Sequence, residues 1–402
     1  MKPHLFIHVQ HLLGIGHMER AFAVASACQD KGFAVTVATG RRSCTDEKPY
    51  RWVPLPDLRS ADAGFSVLLD EAGEPATDAL WAERREILLD GFRDAGPDLL
   101  LVEGFPFARR RFRSELLPLL SLAREAGIPT ICSIRDILQP KNDPRRVEEC
   151  LNWANPCFDL ILVHGDPTLA RLEDSFPAVD RLTTPVVYTG YVAKPDGPDD
   201  GTAGRDEVLV SAGGGAVGAT LFDAALAAAC LPGAERWHWR LLVGRNMEAD
   251  TAGRATPGHV TVEPARPDFR AMLSRAAVSV SQAGYNTAVD LFASGAPAVL
   301  CPFEDGGQKE QAMRAERMAA VMGATVLSET GLTADALLAA VRIQAEQPQQ
   351  FPSQFPSQSP SRSVGIDLAG AERTARILTL WHAGEAAAAI QAGLAGEKRT
   401  KT

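Results

Sequence analysis

The chain has 402 residues, which exceeds one ordinary domain and predicts two folded units. Hydrophobic residues make up 46% of the sequence and charged residues 23%, which excludes a largely disordered chain. The formal net charge of −9 makes nucleic acid a poor partner for the surface as a whole. No apolar run approaches the roughly 20 residues that span a bilayer.

The N-terminus enters a strand-like segment, His4–Val9, without the layout of a signal peptide. We therefore expect a cytoplasmic protein. Seven cysteines, an odd number with no C-x-x-C pair, predict neither a disulfide framework nor a zinc site.

Residues 1–193 predict a first α/β domain. Short apolar runs alternate there with segments of helical periodicity, which is typical of a parallel sheet with crossover helices. After the first strand, the predicted strands are Phe33–Ala38, Leu99–Val102, Thr130–Ile134 and Leu160–Val163.

Residues 194–206 are rich in Pro, Gly and Asp and lack apolar periodicity, as expected of a linker. A second alternation of strands and helices then fills residues 207–345. Residues 346–363 contain a tandem Phe-Pro-Ser-Gln and predict a low-complexity loop. Residues 364–390 predict a C-terminal helix, ahead of a basic tail.

Glycines follow the first strand in both halves, where a strand passes into a helix. In the first half Gly14 and Gly16 precede His17. In the second half Gly213, Gly214 and Gly215 follow Val208–Ser211. Such turns expose backbone amides to an anion, although both also fit ordinary connections. An imidazole at the carboxyl edge of a first parallel strand is expected to face a ligand crevice, and local packing is the alternative for His17.

The most specific segment is 278–314. A strand ends at Ser281, and Gly284 precedes a predicted helix that carries Asn286, Thr287 and Asp290. Asp290 lies about 9 Å along that helix, a spacing that suits a diphosphate at the helix N-terminus and a ribose on the carboxylate. Gln308 and Gln311 can share one face of the next helix and bind sugar hydroxyls. The alternative is that these residues are ordinary helix positions.

These motifs resemble the donor-binding region of nucleotide-sugar glycosyltransferases of family 28. That family has a S-x-x-G-x-x-T-x-x-E/D block, a G-x-P-x-x-x-x-P-F strand and a D-Q-x-x-N-A helix. This chain has Ser281, Gly284, Thr287 and Asp290, followed by Gly295-Ala-Pro297, Pro302-Phe303 and Gln308. It departs at Gly307, where the family has Asp, and at Gln311, where it has Asn. We expect Glu304 or Asp305 to supply the missing acceptor.

The resemblance implies a glycosyltransferase-B fold, in which two Rossmann-like domains face each other across a cleft. It implies an inverting transfer of a hexose-type sugar from a nucleoside-diphosphate sugar, with UDP-sugars favoured. The C-terminal half would hold the donor, the N-terminal half would hold an unknown acceptor, and the C-terminal helix would return to the first domain. No D-x-D metal motif occurs in the sequence, so we expect neither a metal nor a cofactor, and backbone amides would stabilise the leaving diphosphate.

His17 is the predicted catalytic base, and Asp136 is the alternative. Glu103, Arg109 and Arg135 are candidates for the acceptor side. The segment Glu103–Arg113 concentrates arginines among phenylalanines, which fits an anionic acceptor, contact with the inner face of a membrane, or merely the solvated start of a helix.

Two other classes of function stay open. One is hydrolysis or epimerisation of a nucleotide sugar on the same fold. The other is a non-catalytic protein that binds a nucleotide sugar and regulates partners.

Overall fold

The computed structural model describes the chain in thirteen stretches and divides it into two compact units. The N-terminal unit comprises Met1–Val192 and Ala369–Thr402, and the C-terminal unit comprises Ala193–Leu368. The described residues are 2–10, 12, 16–40, 50–60, 67–140, 143–194, 197, 199, 201–212, 218–244, 256–304, 309–347 and 365–394.

Strands of the N-terminal unit form a seven-stranded parallel sheet and a short antiparallel pair. The strands are β1 (His4–His8), β2 (Ala34–Thr39), β3 (Arg51–Pro54), β4 (Arg59–Ser60), β5 (Leu68–Leu69), β6 (Leu99–Glu103), β7 (Thr130–Arg135), β8 (Leu160–His164) and β9 (Val186–Tyr188). The large sheet has the order β3-β2-β1-β6-β7-β8-β9, and β4 pairs with β5. Every pairing inside the large sheet is parallel, which requires a crossover between successive strands.

Strands of the C-terminal unit form a six-stranded parallel sheet. They are β10 (Val208–Ser211), β11 (Trp239–Val243), β12 (Val260–Pro264), β13 (Val278–Ser281), β14 (Ala298–Leu300) and β15 (Thr325–Val326). Their order is β12-β11-β10-β13-β14-β15. The strand order therefore reverses direction in each large sheet, between β1 and β6 in the first and between β10 and β13 in the second.

Helices connect most of these strands. They are α1 (Gly16–Asp30), α2 (Asp78–Ala95), α3 (Arg113–Glu125), α4 (Pro144–Cys157), α5 (Leu172–Ser175), α6 (Ala219–Ala229), α7 (Phe269–Leu273), α8 (Tyr285–Ser294), α9 (Glu310–Met322), α10 (Ala334–Glu346), α11 (Gly370–His382) and α12 (Ala386–Gln391). Short 3-10 helices lie at Arg110–Phe112, Pro177–Arg181, Ala234–Arg236 and Glu329–Gly331. Among the helices that the structure describes, none is long and apolar enough to cross a membrane.

The N-terminal sheet is apolar on both faces, since side chains of each strand alternate between two cores. Phe6 and Leu100 point into one core, which also contains residues of α2 and α3. Leu5 and Leu99 point into the other, which contains residues of α1 and α11. This alternation decides the face on which the last residue of each strand lies.

The chain returns to the N-terminal unit at Ala369. Val192 and Ala369 form an isolated antiparallel bridge, and the Gly370 amide donates to the Tyr191 carbonyl over 2.9 Å. The C-terminal segment contains two helices, α11 and α12, rather than one continuous helix. The chain leaves the helical path after His382, because Gly384 adopts a left-handed conformation at φ 79°.

Gly370 should tolerate no larger residue, because a Cβ atom there would lie 2.5 Å from the Gly190 carbonyl oxygen and 2.6 Å from that of Tyr191. We expect Gly370→Ala to lower the free energy of unfolding by about 1–3 kcal/mol, as overpacking of a rigid site does. Gly258→Ala is the matched control, because a Cβ there meets nothing within 4 Å. Denaturant unfolding measures both, and equal stability of the two variants would contradict the expectation.

Candidate functional site

The first candidate site lies where the strand order of the N-terminal sheet reverses, between β1 and β6. Ligands of open α/β sheets bind outside the carboxyl ends of the strands at such a point. His17 lies in the first turn of α1, which follows β1, and Glu103 is the last residue of β6. The topology thus brings together two side chains that are 86 residues apart.

His17 and Glu103 are in direct contact. Nδ1 of His17 lies 3.0 Å from Oε1 of Glu103, which also accepts a hydrogen bond from Arg20. The side chain of His17 is 17% exposed and that of Glu103 is 1% exposed. Because an ionised carboxylate only accepts hydrogen bonds, the contact places the imidazole proton on Nδ1. Nη2 of Arg20 lies 3.2 Å from the same Nδ1. Both nitrogens are donors, and they lie this close because both donate to Oε1 of Glu103. The other ring nitrogen, Nε2, is then an acceptor.

The charges at this contact follow from burial and from the neighbouring arginines. Burial and the charge of Arg109 lower the pKa of His17 to about 3, against the opposing effect of Glu103. Burial by itself raises the pKa of Glu103, but the charge of Arg20 and the hydrogen bond from His17 outweigh it and hold that pKa below its ordinary range. The pair is therefore a neutral imidazole beside an ionised carboxylate near neutral pH.

Three further polar residues continue from Glu103 across the carboxyl edge of the sheet. Ser133 of β7 donates to Oε2 of Glu103, and its Oγ lies 2.9 Å from Nε2 of His164, the last residue of β8. Nδ1 of His164 lies 2.8 Å from Oγ1 of Thr189, just after β9. We call Glu103, Ser133, His164 and Thr189 the polar row. Of these four residues only Glu103 was predicted as a site residue, although the polar residues at the ends of otherwise apolar strands β7 and β8 were a visible signal for Ser133 and His164.

Asp136, the alternative catalytic base, is fully buried, and its Oδ2 accepts a hydrogen bond of 2.8 Å from Tyr191. It follows β7 directly. A carboxylate enclosed in this way has no surface on which to receive an acceptor, so His17 is the better placed of the two predicted bases.

Arg109 and Arg135 carry positive charge to the same edge of the sheet. Arg109 has a left-handed backbone conformation at φ 57° in the turn after β6, and Arg135 ends β7. Burial, followed by the charge of Arg135, lowers the pKa of Arg109 to about 10. The repulsion between the two guanidinium groups makes this part of the site favourable for an anion.

The phenylalanines of Glu103–Arg113 do not face solvent. Phe105, Phe107 and Phe112 are at most 3% exposed and belong to the core under α2 and α3. The interpretation of this segment as a lipid-contacting surface is therefore wrong for its phenylalanines. Its arginine end does form the solvated start of a helix, since the 3-10 helix Arg110–Phe112 leads into α3, and Arg111 and Arg113 are exposed.

The second candidate site lies at the carboxyl edge of the C-terminal sheet, close to the reversal between β10 and β13. A cleft there has an empty volume of about 560 Å³, including space open to solvent. Its lining includes Gly218, Thr220, Gln282, Phe303, Glu329 and Leu332. Thr220, Gln282 and Glu329 were not predicted from the sequence. They lie in the first turn of α6, directly after β13 and in the 3-10 helix Glu329–Gly331, and only the sheet order unites these elements.

The N-terminus of α8 follows Gln282, a lining residue of this cleft, in the chain. Gly284 is the N-cap residue and offers no side chain to the first-turn amides, which is the arrangement expected at an anion site. Ser281 and Thr287 are buried, whereas Asn286 is half-buried. The backbone of the turn, more than its side chains, is therefore the surface presented to a ligand.

Other predicted donor residues have partners within the C-terminal unit. Oδ1 of Asp290 accepts hydrogen bonds of 2.9 and 3.1 Å from Arg270, and Oε1 of Gln311 accepts one of 3.2 Å from the Phe303 amide. The Glu304 amide donates to Glu329 over 3.3 Å. Asp290 is the sixth residue of α8, as its spacing from Gly284 predicts.

Several predicted site residues lie outside the described residues: Gly14, Gly213, Gly214, Gly215, Asp305 and Gln308. Gly16 is described and begins α1. Within the described stretches, no group of three or more His, Cys, Asp or Glu side chains is arranged to hold a metal ion.

Comparison with solved structures identifies the fold. The chain is similar to MurG of Acinetobacter baumannii, with a TM-score of 0.56 and 14% identity over 94% of this chain and 99% of that one. It is also similar to the spinosyn rhamnosyltransferase SpnG complexed with thymidine diphosphate, with a TM-score of 0.59 and 16% identity over 96% of each chain. The fold is the glycosyltransferase-B fold of two Rossmann-like domains, as predicted.

The family resemblance is confirmed in the C-terminal unit. Residues 213–364 match the model of the glycosyltransferase family 28 C-terminal domain. A relative from Rhodospirillum centenum, UDP-N-acetylglucosamine--N-acetylmuramyl-(pentapeptide) pyrophosphoryl-undecaprenol N-acetylglucosamine transferase, is 29% identical over 36% of this chain. The match spans about two fifths of that relative, 39% of its length.

The buried histidines predict that acid destabilises the N-terminal unit. Burial lowers the pKa values of His17 and His164 to about 3, so below about pH 6.5 an unfolded chain binds protons that the folded chain excludes. Glu103, whose pKa is also lowered, acts in the same direction at lower pH. We expect a loss on the order of 1–2 kcal/mol for each histidine between pH 7 and pH 5.

Denaturant unfolding at matched ionic strength measures this pH dependence. His164→Gln should make the free energy of unfolding depend less on pH, because it removes one of the groups that take up a proton on unfolding. Equal stability at pH 5 and pH 7 would contradict the assignment of both histidines as neutral in the folded chain.

Proposed function

We propose that this chain is a glycosyltransferase that moves a hexose-type sugar from a nucleoside-diphosphate sugar to a hydroxyl group of an acceptor. The observation that carries the proposal is the contact of 3.0 Å between Nδ1 of His17 and Oε1 of Glu103 at the reversal point of the N-terminal sheet. The match of residues 213–364 to the family 28 domain supports it.

His17 is the general base in this proposal. The carboxylate of Glu103 holds the proton on Nδ1, so Nε2 takes the proton of the acceptor hydroxyl as that oxygen attacks the anomeric carbon. The bond from the anomeric carbon to the donor's phosphate oxygen breaks, and the nucleoside diphosphate leaves. A single displacement of this kind needs one base and no enzyme nucleophile, and it inverts the anomeric configuration.

The C-terminal unit binds the donor. The uncapped amides of the first turn of α8 and the dipole of that helix stabilise the diphosphate, without a requirement for a metal ion. Asp290 accepts hydrogen bonds from the ribose through its carboxylate, which Arg270 orients. The cleft beside Gln282 and Phe303 receives the remaining part of the donor.

The nucleoside of the donor is uridine in the first form of this proposal, because the matched relative is a UDP-N-acetylglucosamine transferase. The thymidine diphosphate bound to a structural neighbour makes TDP-sugars the second choice. Thermal shifts across uridine, thymidine, guanosine and adenosine diphosphate sugars separate these choices, since a ligand of the folded state raises its stability. The proposed location is the cytoplasm or the inner face of the membrane.

Replacement of His17 tests its role as the base. We expect His17→Gln to lower turnover by about 10²–10⁴-fold, the usual contribution of general base catalysis, and to leave the Kd of the donor within twofold. Nucleotide release with a panel of hydroxylated acceptors measures turnover, and calorimetry measures donor binding. His4→Gln is the matched control, because His4 contacts Thr36 at the opposite end of β1. Loss of donor binding in His17→Gln would overturn the assignment.

The same assay separates transfer from the other classes of function. A hydrolase or an epimerase consumes donor without an acceptor, and a regulatory protein binds donor without consuming it. Nucleotide release that requires an acceptor supports transfer, whereas release in buffer alone contradicts it.

Replacement of Asp290 tests the ribose contact. Asp290→Ala should weaken binding of a nucleoside diphosphate by about tenfold and should hardly change binding of its 2′,3′-dideoxy analogue, because the lost hydrogen bonds go to ribose hydroxyls. Asp199→Ala is the control, since it breaks the comparable 2.7 Å ion pair with Arg275 in the same unit. Equal losses for both ligands would refute the contact.

A further inference from the structure

In each hydrogen bond of the polar row, the chemistry of the two groups decides which one donates. Glu103 is an ionised acceptor, so the single proton of Ser133 Oγ goes to Oε2 of Glu103. Ser133 is then the acceptor in its 2.9 Å contact with His164, which places a proton on Nε2 of His164. His164 is neutral, since burial lowers its pKa to about 3, so its Nδ1 is an acceptor for the Thr189 hydroxyl at 2.8 Å.

Every hydrogen bond of the row therefore runs towards Glu103, from Thr189 through His164 and Ser133. The Thr189 hydroxyl is also 2.9 Å from the Gly190 carbonyl, but a neutral His164 protonated on Nε2 needs a donor at Nδ1. Arg373 of α11 donates to the Thr189 carbonyl and attaches the end of the row to the C-terminal helix. Hydrogen bonds aligned in one direction polarise and strengthen each other.

The row meets Glu103 on the oxygen that His17 does not use. Ser133 occupies Oε2, while His17 and Arg20 occupy Oε1. A carboxylate held at both oxygens cannot turn about its last bond, so Oε1 stays directed at the imidazole. Apolar residues precede Ser133 and His164 in their strands, and burying a polar row there costs free energy unless all its members are paired.

We propose that Ser133 and His164 are positioning residues for His17: they fix the Glu103 carboxylate and thereby hold His17 in the tautomer whose Nε2 accepts a proton. The proposal rests on the proposed function only for its catalytic consequence, because the tautomer is a property of the protein alone. The charged and titratable groups around the pair are Arg20 on α1, Arg109 after β6 and His164 on β8.

The experiment is nitrogen NMR of the imidazoles in protein labelled with ¹⁵N-histidine, at pH 7 and during acid titration. In the wild type, we expect Nδ1 of His17 to be protonated and Nε2 to be unprotonated. In Ser133→Ala, Glu103 loses a donor and becomes more basic, so the pKa of His17 should rise by about 0.5–1 unit and both tautomers should be populated. Ser133→Thr keeps the hydroxyl and should restore the wild-type spectrum.

Turnover provides the second measurement. Ser133→Ala should lower kcat by about tenfold and move the acid limb of the pH profile upward, while the KM of the donor stays constant. His164→Phe should act in the same direction. Ser121→Ala is the control, since Ser121 is an exposed serine of α3. Circular dichroism establishes that each variant is folded.

Two results would overturn the proposal: a His17 protonated on Nε2 in the wild type, or a folded Ser133→Ala variant with an unchanged tautomer and acid limb. Failure of the proposed function is distinguishable from either. If His17→Gln retained full turnover while Ser133→Ala changed the tautomer, the positioning would hold and the role of His17 as base would fail.

Discussion

A carboxylate buried at the end of a strand is the constraint on which the N-terminal site depends. The side chain of Glu103 is 1% exposed, and an ionised group in that position is tolerated only when its partners replace water. Arg20 and His17 lie three residues apart on α1, so one face of one helix delivers both partners. The position of α1 against the sheet is therefore fixed by a charge as well as by the apolar core that it covers.

The same constraint extends across the sheet because of strand alternation. Leu99, Ile131 and Leu160 point towards α1 and α11, and residues an even number of positions later lie on the same face. Glu103, Ser133 and His164 satisfy this spacing in three neighbouring strands. The contacts of the polar row thus follow from two simple features. Residues an even number of positions apart share one face of a strand, and each of these apolar strands has a polar residue near its carboxyl end.

The periodicity of apolar residues predicted most of the strands, but it could not predict that His17 and Glu103 lie in contact. The predicted strands Leu99–Val102 and Leu160–Val163 agree with β6 and β8 except for one polar residue at the end of each, because fully buried parallel strands are continuous apolar runs. Strand β3 was missed, since Arg51 and Pro54 interrupt its pattern, and β9 is only three residues long. The contact between His17 and Glu103 depends on β1 lying beside β6. The order of strands in a sheet cannot be predicted from the local pattern of residues.

The departure of this chain from the family 28 pattern at Gln311 has a structural reason. Its longer side chain reaches the Phe303 amide, and so it holds the segment that leaves β14, while Glu329 binds the next amide, that of Glu304. Two side chains from separate elements thus satisfy consecutive backbone donors at the edge of the cleft. Gln311 therefore shapes the edge of the cleft through its Oε1, which holds the Phe303 amide. The substitution that weakens the sequence pattern is therefore compatible with the proposed donor site, at whose edge Gln311 and Glu329 fix the backbone.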